Sequence, residues 1–248
     1  KSRAAGGRSL RSRSQALIND DLLVDFPADT VWHAQRYGLD LSAVNHCLIT
    51  HSHSDHLYPE DIEIARRDYC QGYTNTLHFH AWEDGYRKIK AVTDSELMRS
   101  AADVALITPF HAFTVGGYRI LPLEANHDPA SSPVFYRVEG DGKSLLYGND
   151  TGYFSEKVWA ELKKAGRLDL VSLDCTGGVR TGWRDGHMCL ETDLEVFRRM
   201  EKEGIADERT IKVINHFSHN GGATYDELAA EAAKYGVVVS FDGLEIEF

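Results

Sequence analysis

The chain has 248 residues and is 42% hydrophobic, which is enough to bury a sizeable core in one large domain or two small ones. Its 38 acidic residues outnumber its 27 basic ones, and the formal net charge of -11 disfavours binding to extended nucleic acid. It has no apolar run of membrane-spanning length and no signal-peptide pattern, and its four scattered cysteines favour the reducing cytoplasm over an exported protein.

The predicted elements begin after a basic, Gly- and Ser-rich head over residues 1–14, which we expect to be flexible. The chain starts at Lys1 instead of Met, so we expect that something upstream is missing. Apolar runs between turn residues predict strands at 15–18, 22–25, 45–50, 77–80, 104–108, 118–124, 134–139, 144–147, 168–173, 211–214, 237–240 and 244–248. Helical spacing of apolar residues predicts helices at 30–37, 59–68, 82–90, 94–100, 155–165, 190–202 and 225–235. This alternation predicts a single α/β domain, residues 1–248, with two mixed sheets and outer helices.

The densest group of possible ligands directly follows the predicted strand 45–50. We call residues 51–56 the histidine loop; its candidate ligands are His51, His53, Asp55 and His56. His51 and His53 are two residues apart, so in an extended backbone they point the same way and can share one metal ion. Asp55 and His56 come after a further turn and can reach a second position. Imidazole and carboxylate are ligands of Zn²⁺, and their mixture also admits manganese or iron. A histidine-rich surface loop without chemistry is the disfavoured alternative.

Three further candidate ligands each lie just past a predicted strand: His127, Asp150 and His216. Taken singly, each could be a helix cap or a surface residue. In α/β folds, ligand sites lie where loops leave the strand ends. We therefore expect His127, Asp150 and His216 to complete two coordination spheres. One sphere would contain His51, His53 and His127, and the other Asp55, His56 and His216, with Asp150 bridging both. Each metal ion would keep an open position for a shared water or hydroxide.

The run His51-Ser52-His53-Ser54-Asp55-His56 resembles the hallmark motif of the metallo-β-lactamase superfamily, and Leu48-Ile49-Thr50 resembles the strand before it. Val24-Asp25-Phe26-Pro27 is similar to an earlier strand-Asp motif, which implies that Asp25 orients the histidine loop. The resemblance covers about Gln15 to the C-terminus and implies an αββα sandwich that carries two metal ions. The family's opening strand and its Gly-containing loop are not found in this sequence.

Later motifs resemble the phosphodiesterase branch. Asn215-His216-Phe217-Ser218 resembles the His-Phe-Ser motif of tRNA 3′-processing endonucleases. Gly186-His187-Met188 resembles the His loop of that group and of the phosphoribosyl cyclic phosphodiesterase, which implies that His187 is a general acid. Asp174, in a loop similar to one of that branch, is expected to orient His187 or a metal ligand, and His219 to contact substrate phosphate. The structural-zinc cysteines of the cyclic phosphodiesterase and the basic arm that grips tRNA have no counterpart.

These features together predict a dinuclear metal hydrolase that cleaves a small cyclic or nucleotide-like phosphodiester with metal-bound hydroxide. Asp55 would bind the second metal or accept a hydrogen bond from the attacking hydroxide. We expect two Zn²⁺ ions, with Mn²⁺ as the alternative, a small-molecule partner, no membrane and possibly a homodimer. The alternatives are a lactone or thioester hydrolase on the same metal core, a tRNA 3′-processing-type nuclease, and a non-catalytic binding module.

Overall fold

A computed structural model describes residues 1–70 and 74–248, and the chain forms two compact units. The five-strand unit comprises Ser12–His111 and Pro129–Val134, and the seven-strand unit comprises Lys1–Arg11, Ala112–Asp128 and Phe135–Phe248. Each unit contains one mixed sheet, as predicted. The single domain predicted for residues 1–248 remains a prediction.

The strands are β1 (Ala16–Ile18), β2 (Leu22–Val24), β3 (His46–Leu48), β4 (Leu77–Ala81), β5 (Ala102–Leu106), β6 (Phe113–Val115), β7 (Tyr118–Glu124), β8 (Val134–Gly140), β9 (Lys143–Gly148), β10 (Leu170–Asp174), β11 (Ile211–Asn215) and β12 (Val238–Val239). The α-helices are α1 (Ser2–Ala5), α2 (Thr30–Tyr37), α3 (Glu83–Thr93), α4 (Glu156–Ala165), α5 (Leu190–Lys202) and α6 (Tyr225–Ala232). Short 3₁₀ helices cover Gly7–Ser9, Pro59–Ala65, Pro129–Ser131, His219–Gly221 and Ala233–Tyr235.

The five-strand sheet has the spatial order β1-β2-β3-β4-β5. The β1–β2 hairpin is antiparallel, whereas β2, β3, β4 and β5 run parallel to one another. A buried cluster that includes Leu23, Cys47 and Phe79 covers one face of this sheet. Phe26 packs edge-on against Phe79, with ring centroids 5.5 Å apart. Because the parallel strands end at one edge, the histidine loop leaves the sheet at the carboxyl end of β3.

The seven-strand sheet has the order β12-β11-β10-β9-β8-β7-β6. Strands β9, β10, β11 and β12 are parallel, so their carboxyl ends share one edge. The register pairs Gly148 of β9 with Leu173 of β10, and Asp174 of β10 with Asn215 of β11. Gly148, Asp174 and Asn215 are the last residues of their strands, and Leu173 is the last but one of β10. Asp150 and His216 follow within two residues of the strand ends. The register therefore gathers the polar side chains that follow three separate strands.

Local signals explain which element predictions hold. Helix α4 is preceded by the N-cap Ser155, whose hydroxyl accepts a hydrogen bond from Val158 N, and is followed by Gly166 with a φ of 86°. The helix predicted over residues 94–100 is wrong, because this segment forms turns and Leu97 is 64% exposed. The strand predicted over 244–248 is also wrong, and the short strand β6, Phe113–Val115, was not predicted. Among the described residues, no helix has both the length and the apolar character needed to cross a bilayer.

Candidate metal centre

The backbone of the histidine loop is fixed by hydrogen bonds on both sides. Ile49 N donates to His80 O at 2.9 Å, and Val134 N donates to Thr50 O at 2.8 Å. A turn follows, in which His56 N donates to His53 O at 3.0 Å. His51 and His56 are buried, whereas the Asp55 side chain is half exposed. The loop thus buries most of its imidazoles and leaves one carboxylate within reach of solvent.

The two histidines of the His51-x-His53 pair converge as their spacing predicts. His51 Nε2 lies 3.1 Å from His53 Nδ1, and the ring centroids are 4.7 Å apart. Two imidazole nitrogens bound at roughly 2.0–2.1 Å to one tetrahedral zinc ion would lie about 3.3 Å apart. The observed separation therefore fits a shared divalent ion without a change of backbone.

Asp25 orients His56, as the resemblance implied. The Nδ1 atom of His56 lies 2.6 Å from Asp25 Oδ2, and both side chains are fully buried. The other Asp25 oxygen accepts from Thr50 N at 2.8 Å and Thr50 Oγ1 at 2.9 Å. A carboxylate is an acceptor only, so the proton lies on His56 Nδ1 and the lone pair on Nε2. This hydrogen bond is the usual support of a metal-binding imidazole.

In the seven-strand unit, two carboxylates and two imidazoles form what we call the acidic cluster: Asp150, Asp174, His187 and His216. One ligand atom from each lies within 4.8 Å of the others. Asp150 Oδ1 is 3.1 Å from His216 Nδ1 and 3.2 Å from His187 Nδ1. Asp150 and His216 both have positive φ angles, of 47° and 56°. Such backbone is uncommon for residues with a side chain and is concentrated at functional sites.

His187 and Asp174 form a dyad inside this cluster. His187 Nδ1 lies 2.9 Å from Asp174 Oδ2, while Asp174 Oδ1 accepts from Thr176 N at 2.9 Å and from Met188 N at 3.2 Å. Burial acts to lower the pKa of His187, but the hydrogen-bonded carboxylates of Asp150 and Asp174 raise it to about 10. A protonated His187 can therefore carry a proton on Nε2 while Asp174 holds Nδ1.

Backbone and hydroxyl groups orient two further histidines. His127 Nδ1 donates to Gly186 O at 3.0 Å, which places the lone pair on Nε2, and its ring lies 4.9 Å from that of His187. His216 Nδ1 lies 2.8 Å from Thr176 Oγ1. Sequence reasoning gave no role to Thr176, although the loop that contains it resembled a family motif. His219 is exposed at the start of a 3₁₀ helix, outside the acidic cluster. Its predicted contact with phosphate remains a prediction.

The predicted site residues thus form two sets, each within one unit. The five-strand unit contains His51, His53, Asp55 and His56, and the seven-strand unit contains His127, Asp150, Asp174, His187 and His216. Neutral imidazoles with a carboxylate form a donor set that suits Zn²⁺ or Mn²⁺. Which of these residues bind metal remains a prediction.

Residues 22–214, more than half of the chain, match a family model described as the Beta-lactamase superfamily domain. The chain is similar to exodeoxyribonuclease YycJ of Bacillus anthracis, with 29% identity over 127 residues, which are 51% of this chain and 44% of that protein. The matched part therefore spans less than half of this curated relative.

Two solved structures have a similar fold. A diphosphatase of the PhnP family superimposes with a TM-score of 0.70 at 20% identity, over 96% of this chain and 85% of that chain. Zn²⁺-bound PqqB from Methylobacterium extorquens superimposes with a TM-score of 0.68 at 17% identity, over 96% and 88% of the two chains. The predicted metallo-β-lactamase fold is confirmed.

Proposed function

The chain belongs to the metallo-β-lactamase superfamily, and we propose that it is a metal-dependent phosphodiesterase that hydrolyses a small cyclic or nucleotide-like diester. The observation that carries this proposal is the dyad of His187 and Asp174, 2.9 Å apart, beside Asp150. Expulsion of an alkoxide from a phosphodiester needs a proton donor, which this dyad supplies, whereas the thiolate that leaves a thioester needs one less.

We propose that His51, His53 and His127 hold one ion and Asp55, His56 and His216 a second, with Asp150 as the shared ligand. Two such ions would lower the pKa of a bound water and neutralise charge on the phosphate oxygens. The 3.1 Å separation of His51 Nε2 and His53 Nδ1 and the protonation of His56 at Nδ1 support this assignment. We propose Zn²⁺ as the resident metal, because imidazoles dominate the donor set, with Mn²⁺ as the alternative.

His187 would donate its Nε2 proton to the leaving oxygen, and Asp174 would keep the ring oriented through Nδ1. After this transfer the neutral ring retains the Nδ1 proton, so the hydrogen bond to Asp174 persists throughout. As the alternative to binding the second ion, the half-exposed Asp55 would accept a hydrogen bond from the attacking water. A general acid positioned as His187 is contributes a rate factor of about 10²–10⁴.

The net charge of -11 favours a small diester over a long polyanion. Similarity to an exodeoxyribonuclease favours a second candidate, a nuclease that removes nucleotides from DNA ends. The two differ in the length of strand that the site must accommodate. Cyclic nucleotides and sugar cyclic phosphates should therefore be compared with short single-stranded and duplex DNA at equal phosphodiester concentration. We expect the small diesters to be preferred.

The four cysteines are free, which supports our proposal of a reducing, cytoplasmic location.

The leaving group provides the decisive test. A p-nitrophenolate departs without help, whereas an alkoxide needs the His187 proton. We expect His187→Ala to reduce hydrolysis of an alkyl diester by about 10²–10⁴-fold and to change hydrolysis of bis-p-nitrophenyl phosphate far less. Equal losses on both substrates would overturn the acid role of His187. Exclusive hydrolysis of lactones or thioesters in the same assays would overturn the phosphodiesterase itself.

A further inference from the structure

Ser52 lies between His51 and His53, and each of its polar groups has a hydrogen-bond partner. Its N–H donates to Ser131 O at 3.2 Å, and its carbonyl accepts from Lys88 Nζ at 2.9 Å. Its hydroxyl donates to the carboxylate of Asp84. Ser52 is only 4% exposed, so the peptide that connects the two histidines is held from both sides.

Asp84 and Lys88 lie one turn apart on helix α3 and contact each other as well as Ser52. Lys88 Nζ is 3.1 Å from Asp84 Oδ2, and Arg87 Nη2 is 3.0 Å from Asp84 Oδ1. Asp84 N also donates to Ser132 Oγ at 3.2 Å. The Asp84 carboxylate is thus held by Ser52 and by two cationic side chains of its own helix, while its backbone N–H is held by Ser132.

A glycine allows helix α3 to approach the loop this closely. A Cβ atom on Gly85 would lie 3.2 Å from Ala81 Cβ and 3.6 Å from Ile49 Cγ2. Ile89, one turn further along the helix, is fully buried in the core of the unit. The helix therefore rests on β4 and on the residue that follows β3, and its first turn faces the histidine loop.

We propose that Asp84 and Lys88 are positioning residues that orient the Ser52 peptide so that His51 and His53 bind one metal ion together. The inference rests on the proposed function, since it assumes that these two histidines share an ion. Rotation of the Ser52 peptide would turn the two side chains away from each other, because they point the same way only while the backbone between them is extended. The pair thus sets metal affinity without touching the metal.

An effect on metal affinity can be separated from an effect on folding. The Lys88 side chain is 46% exposed, and an exposed ion pair contributes little to stability. Its hydrogen bond to the Ser52 carbonyl acts on loop geometry instead. Truncation of Lys88 should consequently weaken metal binding much more than it lowers the Tm of the metal-free protein.

The test is a competition titration of the metal-free protein with Zn²⁺ against a chelator, together with the absorption spectrum of bound Co²⁺. We expect Asp84→Ala, Lys88→Met and Ser52→Ala each to weaken binding, by up to the roughly 10–100-fold that follows loss of a direct hydrogen-bond partner of a metal ligand, and to alter the Co²⁺ spectrum. Lys88→Arg keeps the donor groups and should restore most of the affinity. The double variant of Ser52→Ala and Asp84→Ala should be little worse than either single variant.

Lys90 and Asp94 provide the matched control. They form an exposed pair on the end of the same helix, with Nζ and Oδ1 3.3 Å apart. Lys90→Met and Asp94→Asn should leave both affinity and spectrum unchanged. If Lys88→Met binds Zn²⁺ as tightly as the unaltered protein, the positioning role is overturned while the proposed function stands. If the unaltered protein binds no metal, the proposed function itself fails.

Discussion

His56 donates a 2.6 Å hydrogen bond from Nδ1 to the fully buried carboxylate of Asp25, which lies 31 residues earlier in the chain. Asp25 adopts a φ of 67°, and its second oxygen accepts two bonds from Thr50. The strained backbone of Asp25 is thus held in place by the same groups that orient the metal-binding loop.

Asp25→Asn should reduce metal affinity by about 10–100-fold. Asparagine tolerates a positive φ but has only one acceptor oxygen. With that oxygen accepting from Thr50, the amide NH₂ group faces His56 Nδ1 and donates to it, so the imidazole proton moves to Nε2 and the lone pair there is lost. Chelator competition with Zn²⁺ measures the effect. Asp40→Asn, at an exposed turn, is the control and should bind normally. Full affinity in Asp25→Asn would contradict the orienting role.

Gly152→Ala should impair the function of His187 from a distance. A Cβ atom here would lie 2.8 Å from Asn126 Nδ2 and 2.9 Å from Gly186 N, so the segment before His187 must shift. We expect loss of alkyl diester hydrolysis together with weaker Zn²⁺ binding, because Gly186 O also holds His127 Nδ1, and the two effects are measured as kcat and as Zn²⁺ affinity. Gly117→Ala, where no atom lies within 4 Å of the new Cβ, is the control. Unchanged kcat in Gly152→Ala would show that the segment accommodates the methyl group.

Asp174→Asn should lower the pKa of His187 in the metal-free protein. Burial acts to lower that pKa, but the hydrogen-bonded carboxylates of Asp150 and Asp174 raise it to about 10. Loss of one carboxylate removes part of the stabilisation of the imidazolium, so the ring should release its proton at lower pH. An NMR titration of the His187 ring in the metal-free protein measures the change. Asp185→Asn, on the same loop but exposed, should leave this titration in place. An unchanged His187 titration in Asp174→Asn would contradict the effect of Asp174.

The metal-free protein should lose stability between about pH 6.5 and pH 4 because of His80. Burial, with the nearby His46 and His78, lowers the pKa of His80 to about 4. As pH falls through 6.5 the unfolded chain binds a proton that the folded chain does not, so the free energy of unfolding falls by about 3 kcal/mol by pH 4. Above pH 6.5 His80 is neutral in both states and contributes no pH dependence.

Urea unfolding across this pH range measures the effect. His80→Gln should flatten the decline, and His111→Gln, at an exposed residue, should retain it. An identical decline in His80→Gln and in the unaltered protein would assign the acid sensitivity to other groups.

Local chemistry in the sequence determined the elements and the type of site. Pro59 at the start of one 3₁₀ helix, Ser155 and Gly166 around α4, and the apolar run before His51 are short-range signals, and the structure has elements at each. The histidine spacing predicted convergence of His51 and His53 because two residues of extended backbone span one repeat of a strand. Residues 94–100 gave the wrong element because only Met98 of their apolar side chains is buried, while Leu97 is exposed, so one buried side chain anchors a series of turns instead of a helical face.

Contacts between distant residues were decided only by the tertiary structure. No local pattern links Ser52 to Asp84 across 32 residues, and Thr176 reaches His216 across 40. Strand register and the close approach at Gly85 set these distances, and both depend on how whole elements pack. The sequence by itself therefore determined which side chains are available for metal binding and proton transfer. The packing of sheets and helices decided which of their atoms lie within hydrogen-bonding distance, because such distances depend on three-dimensional contacts and not on spacing along the chain.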